Sequence, residues 1–330
     1  MTLTQEIKKW KNKKVLIIGE ALVDKYIFGN ANRLSPDAPV PNIKIEKEIS
    51  YIGAIGLVLK HIKSLGGIPE VCSIIGNDFE GDLFLKRIKE LEVNSTGILI
   101  DEKISTPQIT RIKAMDQHVL RLETDYISEI SENLRKNFYN LIETRSQDIN
   151  SILILDYGIG GFFDDFFIQQ LLMKLSKNYS DIPILVRPSN SNYYLYENVD
   201  LIRMNLQKAL NTFSIDCCNE TSLSIVGKKI LNSTKCKHVL LNFLETESYL
   251  FSQNDNNINK FLPILTHPVR SYVAVGSVLM ATLGLSFASK TIANEAVKIG
   301  LYAAALTASL PPVDFYNAEK LIKYISEKSD

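Results

Sequence analysis

The sequence predicts an α/β protein: a doubly wound, mostly parallel sheet with helices on both faces and a small β lid. Three observations carry this. Short apolar runs end in loops, helix-like stretches lie between them, and two extended segments interrupt the alternation. The first run, KKVLIIGEALVD, holds Val15–Ile18 and then a glycine, as a buried parallel strand ending in a loop does. VCSIIG (71–76), SILILDYG (151–158), IPILVRP (182–188), VDLIRMN (199–205) and HVLLNF (238–243) repeat the type. Between them GLVLKHIKSLG (56–66), EGDLFLKRIKELE (80–92) and FFIQQLLMKLSKN (166–178) read as helices. Residues 24–52, extended and rich in Pro and Asn, and residues 104–124, alternating in β fashion, predict the lid. After Gly276 the pattern is helical to the end, with ANEAVKIGLYAAALTASL and NAEKLIKYISEK as clear segments. No linker or repeat divides the chain, so residues 1–330 read as one domain with the lid segments inserted. Ligands of such sheets sit beyond the carboxyl ends of the strands, which makes the loops after the strands the place to look for function.

Composition narrows the partners. The chain is 45% hydrophobic and 22% charged, ordinary for a globular protein with a large core. Its 37 basic and 37 acidic side chains cancel, so no electrostatic argument favours nucleic acid or an anionic membrane. No apolar run approaches the roughly 20 residues that span a bilayer, and the N-terminus lacks the apolar core of a signal peptide. Cys72, Cys217, Cys218 and Cys236 form no C-x-x-C pair, and with His61, His118, His238 and His267 they show no metal-ligand spacing. A cytoplasmic protein with reduced thiols and no metal site is the expectation. Glycine is scarce, 16 in 330, against about 7% on average.

Six stretches stand in order along the chain: GEALVDKY (19–26), NRLSPDAPVP (32–41), IGNDFEGD (75–82), DQHVLRLE (116–123), LDYGIG (155–160) and MNLQKA (204–209). Together they resemble the ribokinase-like (PfkB) carbohydrate kinases, and among these the heptose 7-phosphate kinases of lipopolysaccharide precursor synthesis. The likeness covers nearly the whole chain, and NRLSPDAPVP is its most specific part. It implies the family fold, with the lid over a sugar, and for an active member ATP and Mg2+ as cofactors.

Departures from that pattern fall on the chemistry. The family's D-T-x-G-A-G-D turn, which opens a helix, corresponds to Ser271-Tyr272-Val273-Ala274-Val275-Gly276-Ser277. The resemblance makes the last position the general base, and a serine hydroxyl cannot take a proton at neutral pH. Loss of a base typically costs about 10²–10⁴ in rate. Ala274 at the first glycine costs roughly 1–2 kcal/mol if the turn needs φ > 0. In the N-x-x-E motif Asn205 remains, at a nucleotide-phosphate position, while Lys208 replaces the magnesium-organising glutamate and should repel the metal. The glycine-rich sugar loop reads Ile52-Gly53-Ala54-Ile55-Gly56, with Gly56 where an asparagine meets sugar hydroxyls. The loop after HVLLNF, from Asn242 to Glu247, has no glycine to lie under a nucleotide, and V-D-P-K reads Val186-Arg187-Pro188-Ser189.

Binding residues carried by the resemblance are Asp24 for sugar hydroxyls, against a turn or helix-cap aspartate, and Gly53 and Gly56 in the sugar loop. Arg33 and Arg121 are candidate clamps for a sugar phosphate, against ordinary lid salt bridges. His118 falls in a segment that can face the sugar. Asn205, Lys208 and Asn242 mark the nucleotide side. Asp156 is not expected to replace the base, because the family keeps the same D-Y-G alongside its own. Two readings stand. One is a degenerate kinase, dead or severely impaired, that binds a sugar phosphate or a partner and regulates surface-saccharide synthesis, with no cofactor firmly expected. The other is an active ATP- and Mg2+-dependent sugar or sugar-phosphate kinase with a divergent site. Family analogy adds a homodimer through the lid, or pairing with an active kinase paralogue. The relatives' fused nucleotidyltransferase carries H-x-G-H; no such motif occurs in these residues, so adenylylation by that route is not expected of them.

Overall fold

The computed structural model describes residues 2–115, 117–125, 130–145, 148–159, 163–189, 192–215, 220–242, 247–253, 255–264, 268–311 and 314–328. In chain order the strands are β1 (Lys14–Gly19), β2 (Val23–Leu34), β3 (Pro41–Ile52), β4 (Ile68–Gly76), β5 (Ile98–Asp101), β6 (Gln108–Ala114) and β7 (Gln117–Thr124). They continue with β8 (Ser151–Leu155), β9 (Ile184–Arg187), β10 (Leu201–Asn205), β11 (His238–Asn242), β12 (Ser248–Ser252) and β13 (Asp255–Phe261). The helices are α1 (Leu3–Lys8), α2 (Ile55–Ser64), α3 (Phe79–Glu90), α4 (Glu132–Arg145), α5 (Asp165–Asn178), α6 (Leu206–Thr212), α7 (Glu220–Thr234), α8 (Val275–Ala288), α9 (Ala293–Ala308) and α10 (Ala318–Lys328).

Among the described residues the main sheet has nine strands, in the order β13-β12-β11-β10-β9-β8-β1-β4-β5. From β5 to β11 every pairing is parallel. Period-two alternation divides the apolar runs between two cores: Ile17, Leu153, Leu185 and Leu240 join the side of α2, α8 and α9. Their neighbours Ile18, Ile154, Val186 and Leu241 join the side of α4, α5 and α7. This is the doubly wound α/β sheet expected from the alternation, with helices on both faces. The antiparallel edge strands β12 and β13 had no counterpart in the sequence reading. Asn-rich residues 255–259 look like a loop, and only pairing with a sheet edge makes them a strand.

The predicted lid is a second, four-stranded sheet in the order β3-β2-β6-β7. β2 pairs with β3 antiparallel and with β6 parallel, so the segments around 24–52 and 104–124 form one sheet. No helix among the described residues is long and apolar enough to cross a membrane.

Candidate functional site

Four strand ends, those of β8, β9, β10 and β11, and one helix start converge at the carboxyl edge of the main sheet. Leu155 stands beside Arg187 and Val186 beside Ile202, so the register carries Arg187 and Arg203 to neighbouring positions on one face. That face belongs to the core formed with α8, as Leu155, Leu185 and Leu201 show. Arg203 is 8% exposed, and its Nε donates to the Asn242 Oδ1 at 2.6 Å. Burial and the neighbouring Arg187 guanidinium push its pKa down to about 10, so it stays charged at neutral pH. Arg187 donates from Nη1 to the Asp156 carbonyl at 2.7 Å and lies 4.1 Å from the centre of the Tyr157 ring. The Tyr157 phenol and the Ser277 hydroxyl are hydrogen-bond partners, which ties the loop after β8 to the first turn of α8.

The turn before α8 behaves as its sequence position suggested. Ala274, at φ 68° and ψ −6°, is left-handed, and it starts the helix without a side-chain cap. An alanine there costs roughly 1–2 kcal/mol of backbone strain that a glycine avoids. A Cβ at Gly276 would lie 3.7 Å from Arg203 Nη1 and 3.9 Å from Nη2, which places the guanidinium against the first turn of α8. Lys208 is exposed at the start of α6, and its backbone N–H donates to the Asn205 Oδ1 at 3.1 Å. Asn205 is thus the side-chain cap of that helix. Burial, followed by the positive charges of Arg187, Arg203 and Arg121, holds Lys208 below the usual lysine range. Asn242 uses its carbonyl oxygen to orient Arg203.

On the lid side Asp24 is buried and accepts a hydrogen bond from Arg111 of β6. Arg111 also lies 5.3 Å from the centre of the Tyr26 ring. Burial raises the Asp24 pKa, against the lowering effect of Arg111 and then Arg121. Gly53 leaves room for this carboxylate: a Cβ there would come within 2.7 Å of the Asp24 Oδ2. Gly56 is buried in the first turn of α2, where a Cβ would stand 2.6 Å from that of Ile52, so packing explains this glycine. Arg121, opposite Arg111 on β7, pairs with Glu123 and is close enough to act electrostatically on both Asp24 and Lys208. His118 lies farther out, opposite Lys113. Arg33 is exposed near the end of β2, nine residues past Asp24 and roughly 25–30 Å away by strand rise. The structure therefore places Asn205, Lys208, Asn242, Ala274, Gly276 and Ser277 at the carboxyl edge, brings Asp24, Gly53 and Arg121 together on the lid with Arg121 acting on Lys208, and leaves Arg33 at the lid's far end. Sequence reasoning missed Arg203; its one signal is a lone charge inside the apolar run VDLIRMN.

The carboxylates near this edge are committed elsewhere. Asp156, 1% exposed, takes hydrogen bonds from the Tyr196 phenol at 2.9 Å, the Asn192 amide at 2.8 Å and the Gly158 N–H at 2.9 Å. Glu20 accepts the backbone N–H groups of Tyr157 at 2.7 Å and Ile159 at 3.1 Å. Burial, and then the Asp156 charge, push Glu20 up to about 8. The folded protein keeps this proton across a window from about 4.5 to about 8 in which an unfolded glutamate has lost it. Stability should therefore fall as pH rises through that window, by an amount on the order of a few kcal/mol. Glu20→Gln, which cannot ionise, should flatten the slope of urea midpoint against pH.

Among the described residues no group of three or more His, Cys, Asp and Glu is placed to hold a metal ion. Cys72 and Cys236 are buried with thiols pushed up to about 12 and about 11, and buried His61 is pushed down to about 3. Cys217, Cys218, His267, Gly160 and the glycine-free stretch 243–246 lie outside the described residues.

No family model matches the chain. It is 29% identical over 294 residues to the bifunctional protein HldE of Helicobacter acinonychis, which covers 89% of this chain and 62% of that protein. The bifunctional protein HldE of Campylobacter fetus matches equally, at 29% identity over 88% of this chain and 62% of the relative. The chain thus spans about 62% of the length of the curated relatives it matches. Phosphofructokinase-2 of Escherichia coli superposes with a TM-score of 0.79 at 14% identity, over 97% of this chain and all of the other. Arabidopsis thaliana ribokinase, solved with ribose and ATP, gives 0.77 at 13% identity, over 95% and 99%. The fold is ribokinase-like, and the curated relatives carry the name bifunctional protein HldE.

Proposed function

We propose that this chain is a heptose-phosphate-kinase-like protein that keeps a phosphate-receiving edge but has lost magnesium-dependent phosphoryl transfer. One observation carries the reading: the charge at the carboxyl edge is positive where transfer needs carboxylates. Lys208 stands at the magnesium-organising position and Arg187 at a second acidic position of the family pattern, with Arg203 buried between them and α8. The residues present do not fit a divalent cation. Hard cations need oxygen donors, and the nearest carboxylates, Asp156 and Glu20, already serve backbone and side-chain donors. Ser277, hydrogen-bonded to a phenol, offers no base.

Homology supports a sugar phosphate as the ligand, with Asp24 and Arg121 on the lid side and a role in surface-saccharide synthesis. The lid also exposes Leu34, Val40, Ile45 and Leu122, which supports self-association through this sheet. A coupled ADP-release assay with ATP, Mg2+ and heptose 7-phosphate tests the central point. The expected result is no turnover above background. Turnover abolished by Ser277→Ala would establish a catalytic serine and an active kinase with a divergent site.

A further inference from the structure

We propose that Arg187 and Arg203 form a metal-independent site for a phosphate monoester at the start of α8, supplying the positive charge that a divalent cation brings to a magnesium-dependent kinase. The inference rests on the preceding reading in one respect: that a phosphorylated ligand still reaches this edge.

A buried guanidinium is costly unless it is paired. Arg203 is 8% exposed, and among the described residues its hydrogen-bond acceptor is a neutral amide oxygen, that of Asn242, which takes only Nε. Its two Nη atoms lie against the first turn of α8, less than 4 Å from where a Gly276 side chain would begin. The neighbouring guanidinium of Arg187 is also held by uncharged partners, a carbonyl oxygen and the face of Tyr157. Glu20 acts electrostatically on Arg187, but both of its carboxyl oxygens already accept backbone N–H groups. The two adjacent cations repel each other, and an anion between them relieves both charges at once.

Helix geometry supplies the remaining donors. α8 runs 14 residues, Val275–Ala288, and no side chain caps its first N–H groups. Those groups and the helix dipole favour an anion at this end. Gly276 presents no side chain to obstruct it. Guanidinium forks match the paired oxygens of a phosphate, which one lysine ammonium does not. The dianionic charge of a phosphate monoester equals that of the two guanidinium groups. Free phosphate and the phosphate of a sugar share this chemistry.

The test is calorimetric titration of the full chain with inorganic phosphate and, separately, glucose 6-phosphate, both in EDTA and in excess Mg2+. Saturable binding in EDTA is expected, with Mg2+ giving no gain. Arg203→Met should weaken both ligands by about tenfold or more, and Lys177→Met, on the exposed end of α5, should change neither. Should the methionine variant not fold, Arg203→Lys keeps the charge and loses the fork, and several-fold weaker binding is expected. Tighter binding of the sugar phosphate identifies it as the ligand, and equal binding identifies free phosphate. Phosphate binding that requires Mg2+, or that survives both Arg203 substitutions undiminished, overturns the proposal. Kinase turnover would remove the proposed function and leave this site standing. Magnesium-dependent phosphate binding without turnover would do the reverse.

Discussion

The combined variant Ala274→Gly, Lys208→Glu, Ser277→Asp is expected to stay silent with ATP, Mg2+ and heptose 7-phosphate, although it rebuilds the family's transfer residues. The reason lies in two arginines those substitutions leave untouched. Arg203 packs against the first turn of α8 at Gly276, and the Arg187 and Arg203 charges already act on Tyr157, the hydrogen-bond partner of Ser277, so an aspartate at position 277 gains cationic neighbours. Such a neighbour lowers a carboxylate pKa by about 1–3 units, which makes it a poorer base. The same guanidinium and Arg187 oppose magnesium near position 208. Adding Arg187→Asp and Arg203→Met removes both effects. The five-site variant should exceed the triple variant by about 10²–10⁴ in rate, the usual contribution of a working base. Thermal melts establish that each variant is folded. Full turnover from the triple variant alone would show that the arginines do not matter.

Loss of the Arg111 side chain should produce the largest change in stability. Arg111 donates to Asp24, and the side chains of the two are 19% and 11% exposed. The pair crosses from β6 to β2, so it also fastens the two halves of the lid sheet. Removing one member of a buried pair strands the other charge, at about 3–5 kcal/mol when burial is complete. With this residual exposure, Arg111→Met should destabilise by about 2–4 kcal/mol in urea unfolding. Asp24→Asn in the same background should recover part of the loss, because the stranded charge is gone. A change below about 1 kcal/mol would mean the pair is screened like a surface salt bridge.

Much of this was legible in the sequence, and for physical reasons. Parallel strands buried on both faces appear as unbroken apolar runs, so VLII, SILIL and HVLLN announced their positions. The lid was visible because half-buried strands alternate. The strain at Ala274 was expected from the family's glycine at that place, and its left-handed conformation agrees. Partnerships across long separations were not legible. Nothing local in TRIKA says that Arg111 meets Asp24, 87 residues away. Nor does VDLIRMN say that Arg203 lies against the start of α8, since that follows from register between β9 and β10. β13 was hidden for a related reason: its Asn-rich residues gain strand structure only from the neighbouring edge.

With the sign of the charge at the transfer edge reversed, as proposed, magnesium should no longer assist phosphate binding there. The decisive measurement is titration of ATP into the protein, once in EDTA and once in excess Mg2+. ATP should bind at least as tightly without magnesium as with it. Binding tightened about tenfold or more by magnesium, a gain of about 1.4 kcal/mol, would contradict it.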